Sequence, residues 1–173
     1  MQMRPSFQVF KETRDKAICV EVGVAYGDNA VDMLDNSRYN FVLVDSCDVN
    51  NTTFQWADPK ENLPHVFTQE ERDAFIVKLM ERLAKYGDRA RLLIKDSVRA
   101  SNDFDDESID YVYIDAQHEG KNVIKDLHAW WPKVKKGGYI AGHDYGDGVE
   151  DAVKEMFGTD YKVDREDWYK EKK

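Results

Sequence analysis

Short apolar runs that alternate with helical patterns are the feature that most constrains the fold of this chain. Between several of these runs, apolar residues recur at helical spacing, most clearly over 68–87, where Thr68 and Glu71 are spaced as a capping box. The runs are continuous rather than alternating, as expected when both faces of a sheet are covered. Strands joined through helices predict a parallel sheet, and therefore an α/β fold. The predicted strands are 17–22, 40–45, 90–96, 109–115 and 137–144.

The remaining segments complete this order of elements. A helix over 123–131 must end before Pro132, because proline disfavours helical backbone at the residue that precedes it. Another helix is expected at 148–158, and 160–173 predicts a closing pair of short strands.

Length and loop pattern indicate how the chain is organised. The 173 residues are near the commonest size for one domain, so we predict a single domain over 1–173, with a short N-terminal segment at 1–16. Residues 46–67 form the one long stretch without a regular pattern, and a loop of that length in a small domain favours a functional role. Phe54 and Trp56 within it either cover a substrate as a lid or pin the loop down.

The net charge and the cysteine content limit the partners and the compartment that we expect for this protein. A formal net charge of −9 argues against a nucleic-acid partner, because such binding depends on Lys and Arg neutralising phosphates. Two cysteines, Cys19 and Cys47, make no disulfide framework and suit a reducing cytosol. No apolar stretch is long enough for a signal peptide or a membrane span, so we expect a soluble cytoplasmic protein.

Acidic residues stand at the predicted carboxyl ends of the strands. In open α/β sheets this edge is where ligands bind. An acid can cap the following helix, but five acids converging on one edge repel each other and cost stability. A ligand or a metal ion explains them better. These residues are Glu21, Asp45, Asp96, Asp115 and Asp144.

The segment "EVGVAYGDNA" places Gly23 and Gly27 between the first strand and the first helix. Glycine permits a tight turn and a close backbone approach there. The dinucleotide pattern G-x-G-x-x-G is not met, because Ala25 and Asp28 take its second and third glycine positions, which disfavours a nicotinamide-dependent oxidoreductase. Asp28 would also oppose a pyrophosphate. The turn suits a cationic ligand with a ribose and no phosphates, and Asp45 is placed to accept the ribose hydroxyls.

Four stretches of the sequence resemble class I S-adenosylmethionine-dependent methyltransferases, in the branch of the macrocin-type and catechol-type O-methyltransferases. They are this turn, "IDYVYIDAQH", "AWWPKVKKGGYIAGHDY" and "GVEDAVKEMF". The resemblance covers about 17–170. It implies a Rossmann-like three-layer sandwich with a seven-stranded, mostly parallel sheet whose last strand is antiparallel. It also implies S-adenosylmethionine as cofactor. Its implied contacts are the Gly23 to Gly27 turn at the methionine part, Glu21 near the ammonium, Asp45 on the ribose, and Asp96 with Ser97 at the adenine. Ser46 and Asp115 are further implied cofactor-binding residues.

The catechol-type branch further implies a divalent cation, Mg²⁺ or Mn²⁺, held by Asp115, His143 and Asp144. The histidine departs from the all-oxygen pattern of that branch, and an imidazole ligand favours Mn²⁺, Fe²⁺ or Zn²⁺ over Mg²⁺. A metal-free site, in which His143 and Asp144 bind substrate or shape the loop, is the alternative.

His118 lies three residues after Asp115, where the resembled branch carries its base. Histidine suits proton removal near neutral pH, although a residue at this place can also hydrogen-bond the start of a helix. We therefore expect an enzyme that transfers the methyl group to an oxygen of a small-molecule acceptor, with His118 and Asp115 as catalytic residues. Nitrogen methylation is a variant, and a non-catalytic nucleoside-binding module or accessory subunit is the alternative. Oligomeric state is not predicted.

Overall fold

The computed structural model of the protein describes residues 3–47 and 68–173, without the side chain of Asp147. Within these ranges the chain forms seven strands and six α-helices. The strands are β1 (Ile18–Val22), β2 (Asn40–Asp45), β3 (Ala90–Ile94), β4 (Ile109–Ile114), β5 (Val134–Gly142), β6 (Lys162–Asp164) and β7 (Asp167–Glu171). The helices are α1 (Pro5–Lys11), α2 (Asp28–Asp35), α3 (Gln69–Leu83), α4 (Ser97–Ser101), α5 (Gly120–Trp130) and α6 (Asp147–Phe157).

All seven strands belong to one sheet in the order β3-β2-β1-β4-β5-β7-β6. Strands β1 to β5 are parallel, whereas β7 lies antiparallel between β5 and β6. The α/β class and the antiparallel last strand predicted from the sequence are thereby confirmed. The strand order changes direction at β1, which pairs with both β2 and β4. In doubly wound sheets this is where a crevice opens at the carboxyl edge.

Helices cover both faces of the sheet and make the three predicted layers. On one face α1, α2 and α3 pack against the sheet through an aromatic-rich cluster that includes Phe7, Phe10 and Tyr111. On the other face α4, α5 and α6 pack through a cluster that includes Trp130 and Trp168. All six residues of β4 are buried, because this central strand sends side chains into both clusters. Burial of both faces of β4 explains why this strand appears in the sequence as a continuous run rather than as an alternation of apolar and polar residues.

Strand β5 spans Val134–Gly142 and not the predicted 137–144, and three helical segments also differ from the sequence prediction. Helix α1 lies in the segment left without structure, yet Phe7 and Phe10 within it are fully buried. Helix α4 has only five residues, too few for a periodic pattern. The expected helix end at Gly87 was wrong, because α3 ends at Leu83 and a 3-10 turn over Ala84–Arg89 follows. Gly87 has a φ of 55° inside that turn, so the helical backbone conformation is interrupted there, beyond the end of α3.

Most of the irregular segment 46–67 falls outside the described residues, and with it Phe54, Trp56 and His65. The two roles considered for this segment, a lid over a substrate or a loop pinned down by its aromatic residues, therefore stay predictions. No helix in 3–47 or 68–173 is both long and apolar enough to cross a membrane.

Candidate functional site

The acids singled out in the sequence lie along one edge of the sheet. Asp45 ends β2, Asp115 follows β4, Asp96 and Asp144 each stand two residues beyond a strand, and Glu21 is the next-to-last residue of β1. Because β3, β2, β1, β4 and β5 are adjacent in that order, the five side chains follow one another across the carboxyl edge. A different concave surface, lined by 14–17 and 35–40, lies at the opposite edge, where β1 and β2 begin.

The turn after β1 is shaped by its two glycines. Gly23 and Gly27 have φ values of 85° and 76°, which favour glycine. A Cβ atom at Gly23 would overlap the carbonyl oxygen of Asp115, so the turn can pack this closely on the end of β4 only without a side chain. At Gly27 a Cβ would lie 2.8 Å from Leu79 Cδ1 of α3. The turn is thus held between β4 and α3.

Asp45 stabilises this turn from the end of β2. Its Oδ2 accepts hydrogen bonds from the backbone amides of Val24 at 2.8 Å and Ala25 at 3.1 Å, and its Oδ1 accepts one from Cys47 at 2.7 Å. The adjoining carbonyl of Ser46 accepts from the Arg72 guanidinium at 3.4 Å. The carboxylate predicted at the ribose therefore also sets the shape of the glycine turn.

Glu21 is a buried acidic residue whose carboxyl group is only partly hydrogen-bonded. Asn29 Nδ2 donates to Oε1 at 2.8 Å, whereas Oε2 is buried without a hydrogen-bond partner among the described residues. Burial raises the pKa of Glu21 to about 8; the Asn29 hydrogen bond opposes this increase and the charge of Asp115 adds to it. An under-satisfied buried carboxyl suits a cationic ligand, since an opposite charge would favour its ionised form.

At the β3 end, the two predicted adenine-site residues make structural contacts. Asp96 Oδ1 accepts from the backbone amide of Arg99 at 3.0 Å and so caps α4. Ser97 Oγ donates to Asp126 at 2.6 Å and accepts from Trp130 Nε1 at 2.9 Å. The Ser97 hydroxyl therefore ties α4 to α5.

Two histidines and two carboxylates meet where β4 and β5 end. His118 Nδ1 lies 3.0 Å from Asp144 Oδ2, and His143 Nδ1 lies 2.9 Å from Asp144 Oδ1. His143 Nδ1 also lies 3.9 Å from Asp115 Oδ1, and burial is the main cause that raises the pKa of Asp115, opposed by His143 and by Arg4. Asp144 has a φ of 53°, an uncommon conformation that is often found at functional sites.

This cluster contains a group of side chains that fits a metal ion. Ligand atoms of Asp115, His118 and Asp144 all lie within 4.8 Å of one another. The set implied by the resemblance had His143 in place of His118. In the structure the other nitrogen of His143, Nε2, lies 3.3 Å from Glu166 Oε2 in the turn between β6 and β7. Two carboxylates and one imidazole are a donor set that Mn²⁺ and other transition metals accept.

Sequence reasoning missed Arg4, Asn29 and Glu166. Arg4 NH2 lies 3.5 Å from Asp115 Oδ2, although the two residues are far apart in the chain. No local pattern marks Arg4, because it precedes a helix too short for its own periodicity. Glu166 reaches His143 only because β7 pairs with β5.

Comparisons with known proteins agree with this architecture. A family model described as a methyltransferase domain matches residues 20–145. An rRNA methylase from Streptococcus thermophilus is 12% identical, with a TM-score of 0.64 over 100% of this chain and 99% of that one. The O-methyltransferase NovP is 16% identical, with a TM-score of 0.63 over 98% of this chain and 77% of that one.

A TDP-rhamnose 3'-O-methyltransferase of calicheamicin biosynthesis, CalS11, is 13% identical, with a TM-score of 0.63 over 98% of this chain and 76% of that one. At such low identities these likenesses show the fold alone. No curated protein matches the chain significantly.

Proposed function

Because this chain belongs to the family described as a methyltransferase domain, we propose that it transfers the methyl group of S-adenosylmethionine to an oxygen of a small-molecule acceptor. The observation that carries the proposal is the pairing of His118 with Asp144 at 3.0 Å, beside Asp115 and on the same edge as the glycine turn. This pairing supports a proton acceptor next to the place where a methyl donor would bind.

The donor half of the site is supported by charge and by shape. Glu21 offers a buried carboxyl oxygen without a partner in the described part of the chain, which suits the positive charge of the donor. The Gly23 to Gly27 turn would hold the methionine part, Asp45 and Ser46 the ribose, and Asp96 with Ser97 the adenine. The bound donor supplies an already activated methyl group, so the residues around it contribute mainly by positioning.

In the acceptor half, His118 would take the proton from the acceptor hydroxyl. His118 Nδ1 lies 3.0 Å from Asp144 Oδ2, and a proton held on Nδ1 toward this carboxylate would leave the lone pair on Nε2. Asp144 would also stabilise the imidazolium that forms. Asp115 would orient the acceptor. An amine acceptor would use the same groups, so nitrogen methylation is a variant of this mechanism.

A metal-assisted version is supported by the cluster of Asp115, His118 and Asp144. A bound divalent cation would lower the pKa of the acceptor hydroxyl. In this version His118 would be a metal ligand and not a base. His143, which contacts Asp144 and Glu166, would hold Asp144 in place.

His118→Ala tests the catalytic proposal. We expect turnover with labelled S-adenosylmethionine and a panel of hydroxylated and amine acceptors to fall about 10²- to 10⁴-fold, because a positioned acid or base contributes that much. Affinity for S-adenosylhomocysteine should stay unchanged. His128→Ala is the matched control, since His128 is exposed on α5 and distant in sequence from the strand ends. Unchanged turnover in His118→Ala would remove His118 from the mechanism.

Removal of metal ions distinguishes the metal-free version of the mechanism from the metal-assisted version. If His118 is the base, EDTA should leave wild-type turnover unchanged. If His118 is a ligand, EDTA should abolish turnover, Mn²⁺ should restore it, and Asp115→Asn should remove the stimulation.

Thermal unfolding with ligands tests the donor. S-adenosylhomocysteine should raise the melting temperature and NAD should not, because a ligand that binds the native state stabilises it. Stabilisation by NAD alone would overturn the proposal. Binding of S-adenosylhomocysteine without product from any acceptor would favour a non-catalytic module.

A further inference from the structure

Arg4 brings a positive charge into the acidic edge of the sheet. It precedes α1, and its side chain is 18% exposed. Its Nε donates to Asn29 Oδ1 at 3.3 Å, and its Cζ lies 5.7 Å from the ring centroid of Tyr113. Asn29, two residues after Gly27, donates in turn to Glu21. Arg4 thus connects the start of α2 with β4, directly beside the glycine turn.

The terminal nitrogens of Arg4 are near carboxylates but not tightly bound to them. NH2 lies 3.5 Å from Asp115 Oδ2, and NH1 lies 3.9 Å from Asp167 Oδ1. Charge-assisted hydrogen bonds between such groups are typically about 2.8 Å long, and a bidentate pair aligns two of them. Neither carboxylate forms such a pair with the guanidinium. Arg4 therefore retains the fork of donors that matches a carboxylate.

We propose that Arg4 binds the carboxylate of the donor's amino-acid part; this inference rests on the proposed function. That part carries an ammonium and a carboxylate. The carboxyl groups of Glu21 and Asp115 would face the ammonium, and Arg4, which contacts Asp115 and Asn29, would supply the positive charge for the carboxylate. A Cβ at Gly23 would overlap Asp115 O, so the turn packs closely on the strand end whose side chain lies 3.5 Å from Arg4 NH2.

The competing explanation is that Arg4 is only a counter-ion that offsets repulsion between Asp115 and Asp167. The chain contains a matched arginine for this comparison. Arg14 NH1 lies 3.3 Å from Asp110 Oδ1, and its NH2 donates to Gly137 O at 2.7 Å. Asp110 is near the amino end of β4, whereas Asp115 follows its carboxyl end. The two arginines therefore lie near carboxylates at opposite ends of one strand.

The test compares S-adenosylmethionine with decarboxylated S-adenosylmethionine, which lacks only the carboxylate, in titration calorimetry. In the wild type the first should bind at least about 10-fold more tightly, because each charged hydrogen bond is worth about a factor of 10 or more. Arg4→Met should weaken the first about 10- to 100-fold and change the second less than about 3-fold. Arg14→Met should leave both affinities unchanged.

Each other result overturns the inference. Equal weakening of both ligands by Arg4→Met assigns Arg4 a structural role, and no weakening excludes the contact. If Arg4→Met does not fold, Arg4→Lys provides the measurement, since it keeps the charge and loses the fork; an unchanged preference between the two ligands would then contradict a bidentate contact. A wild type that binds neither ligand overturns the proposed function itself, which is a different and distinguishable failure.

Discussion

At the scale of single residues, Glu21 shows how burial changes the chemistry of a carboxyl group. It lies inside the central strand β1 with 1% exposure, and one oxygen lacks a hydrogen-bond partner within the described ranges. A buried carboxyl favours its protonated form, so its pKa rises to about 8, further than the Asn29 hydrogen bond can lower it. Glu21 is therefore a buried and only partly hydrogen-bonded carboxyl group at the place where the proposed cation would bind.

Glu21→Gln should remove a pH dependence of stability. The pKa of Glu21 in the folded protein is about 8, above its ordinary value of 4.5. The proton on Glu21 therefore stabilises the fold fully below about pH 4.5, and this stabilisation is lost as pH rises through about 8. The contribution of Glu21 to this loss should be at most roughly 4 kcal/mol between pH 5 and pH 8, and the variant should lack that contribution. Urea unfolding at the two pH values measures this loss, with exposed Glu70→Gln as control. Equal losses in wild type and Glu21→Gln would contradict the assignment.

At the scale of elements, two helix starts set the spacing of the proposed acceptor site. Gly120 begins α5, and Gly148 lies in the first turn of α6. A Cβ at Gly148 would lie 2.7 Å from Gly120 N, and one at Gly120 would lie 2.7 Å from Gly148 O. Backbone therefore packs on backbone at this crossing. His118 and Asp144 stand just before the two helices, so the crossing controls the distance between them.

Gly148→Ala should separate the two helix starts and lower turnover. We expect a fall of about 10- to 100-fold in kcat, because small displacements of catalytic groups are costly. Affinity for S-adenosylhomocysteine should change little. Gly146→Ala is the matched control, since its φ of 172° suits any residue and no atom lies within 4 Å of its added Cβ. Similar kcat values for Gly146→Ala and Gly148→Ala would show that the close crossing does not set the site.

At the scale of the whole molecule, a buried polar network joins the two ends of the chain beneath the site. Ser6 Oγ donates to Asp167 Oδ2 at 2.8 Å and lies 2.9 Å from the Tyr111 hydroxyl. Tyr113 donates to Asp167 Oδ1 at 2.9 Å. The network connects α1, β4 and β7, and so places Arg4 next to Asp115. The N-terminal segment is thus part of the fold and lies beside the candidate site.

Ser6→Ala should destabilise the protein by about 1–3 kcal/mol, because it leaves buried Asp167 and Tyr111 each without one partner. Chemical denaturation measures the change in the free energy of unfolding. Ser108→Ala provides the control, since its hydroxyl donates to Asp105 O in an exposed turn and its loss should cost a few tenths of a kcal/mol. A smaller loss for Ser6→Ala than for Ser108→Ala would contradict a stabilising role for the network.

Local patterns in the sequence predict much of this architecture. The strand predicted at 40–45 matches β2, and the helix predicted before Pro132 matches the end of α5 at Trp130. The sequence also places the acids at one edge, because parallel strands direct their carboxyl ends the same way. The methyltransferase class, which rests on the quoted motifs, is confirmed by the family match over 20–145. The single domain, the acceptor, the metal and the roles of the site residues stay predictions.

Contacts between distant segments are what the tertiary structure alone decides. Ser6 meets Asp167 across 161 residues and Tyr111 across 105. Periodicity reports which face of an element is apolar, but it carries no information on which polar side chains from different elements meet. The burial of Glu21, the orientation of the Ser97 hydroxyl toward α5, and the approach of Arg4 to Asp115 all depend on packing between layers. The sequence by itself therefore determined the strands and their acidic edge, whereas packing decided which of those acids have partners.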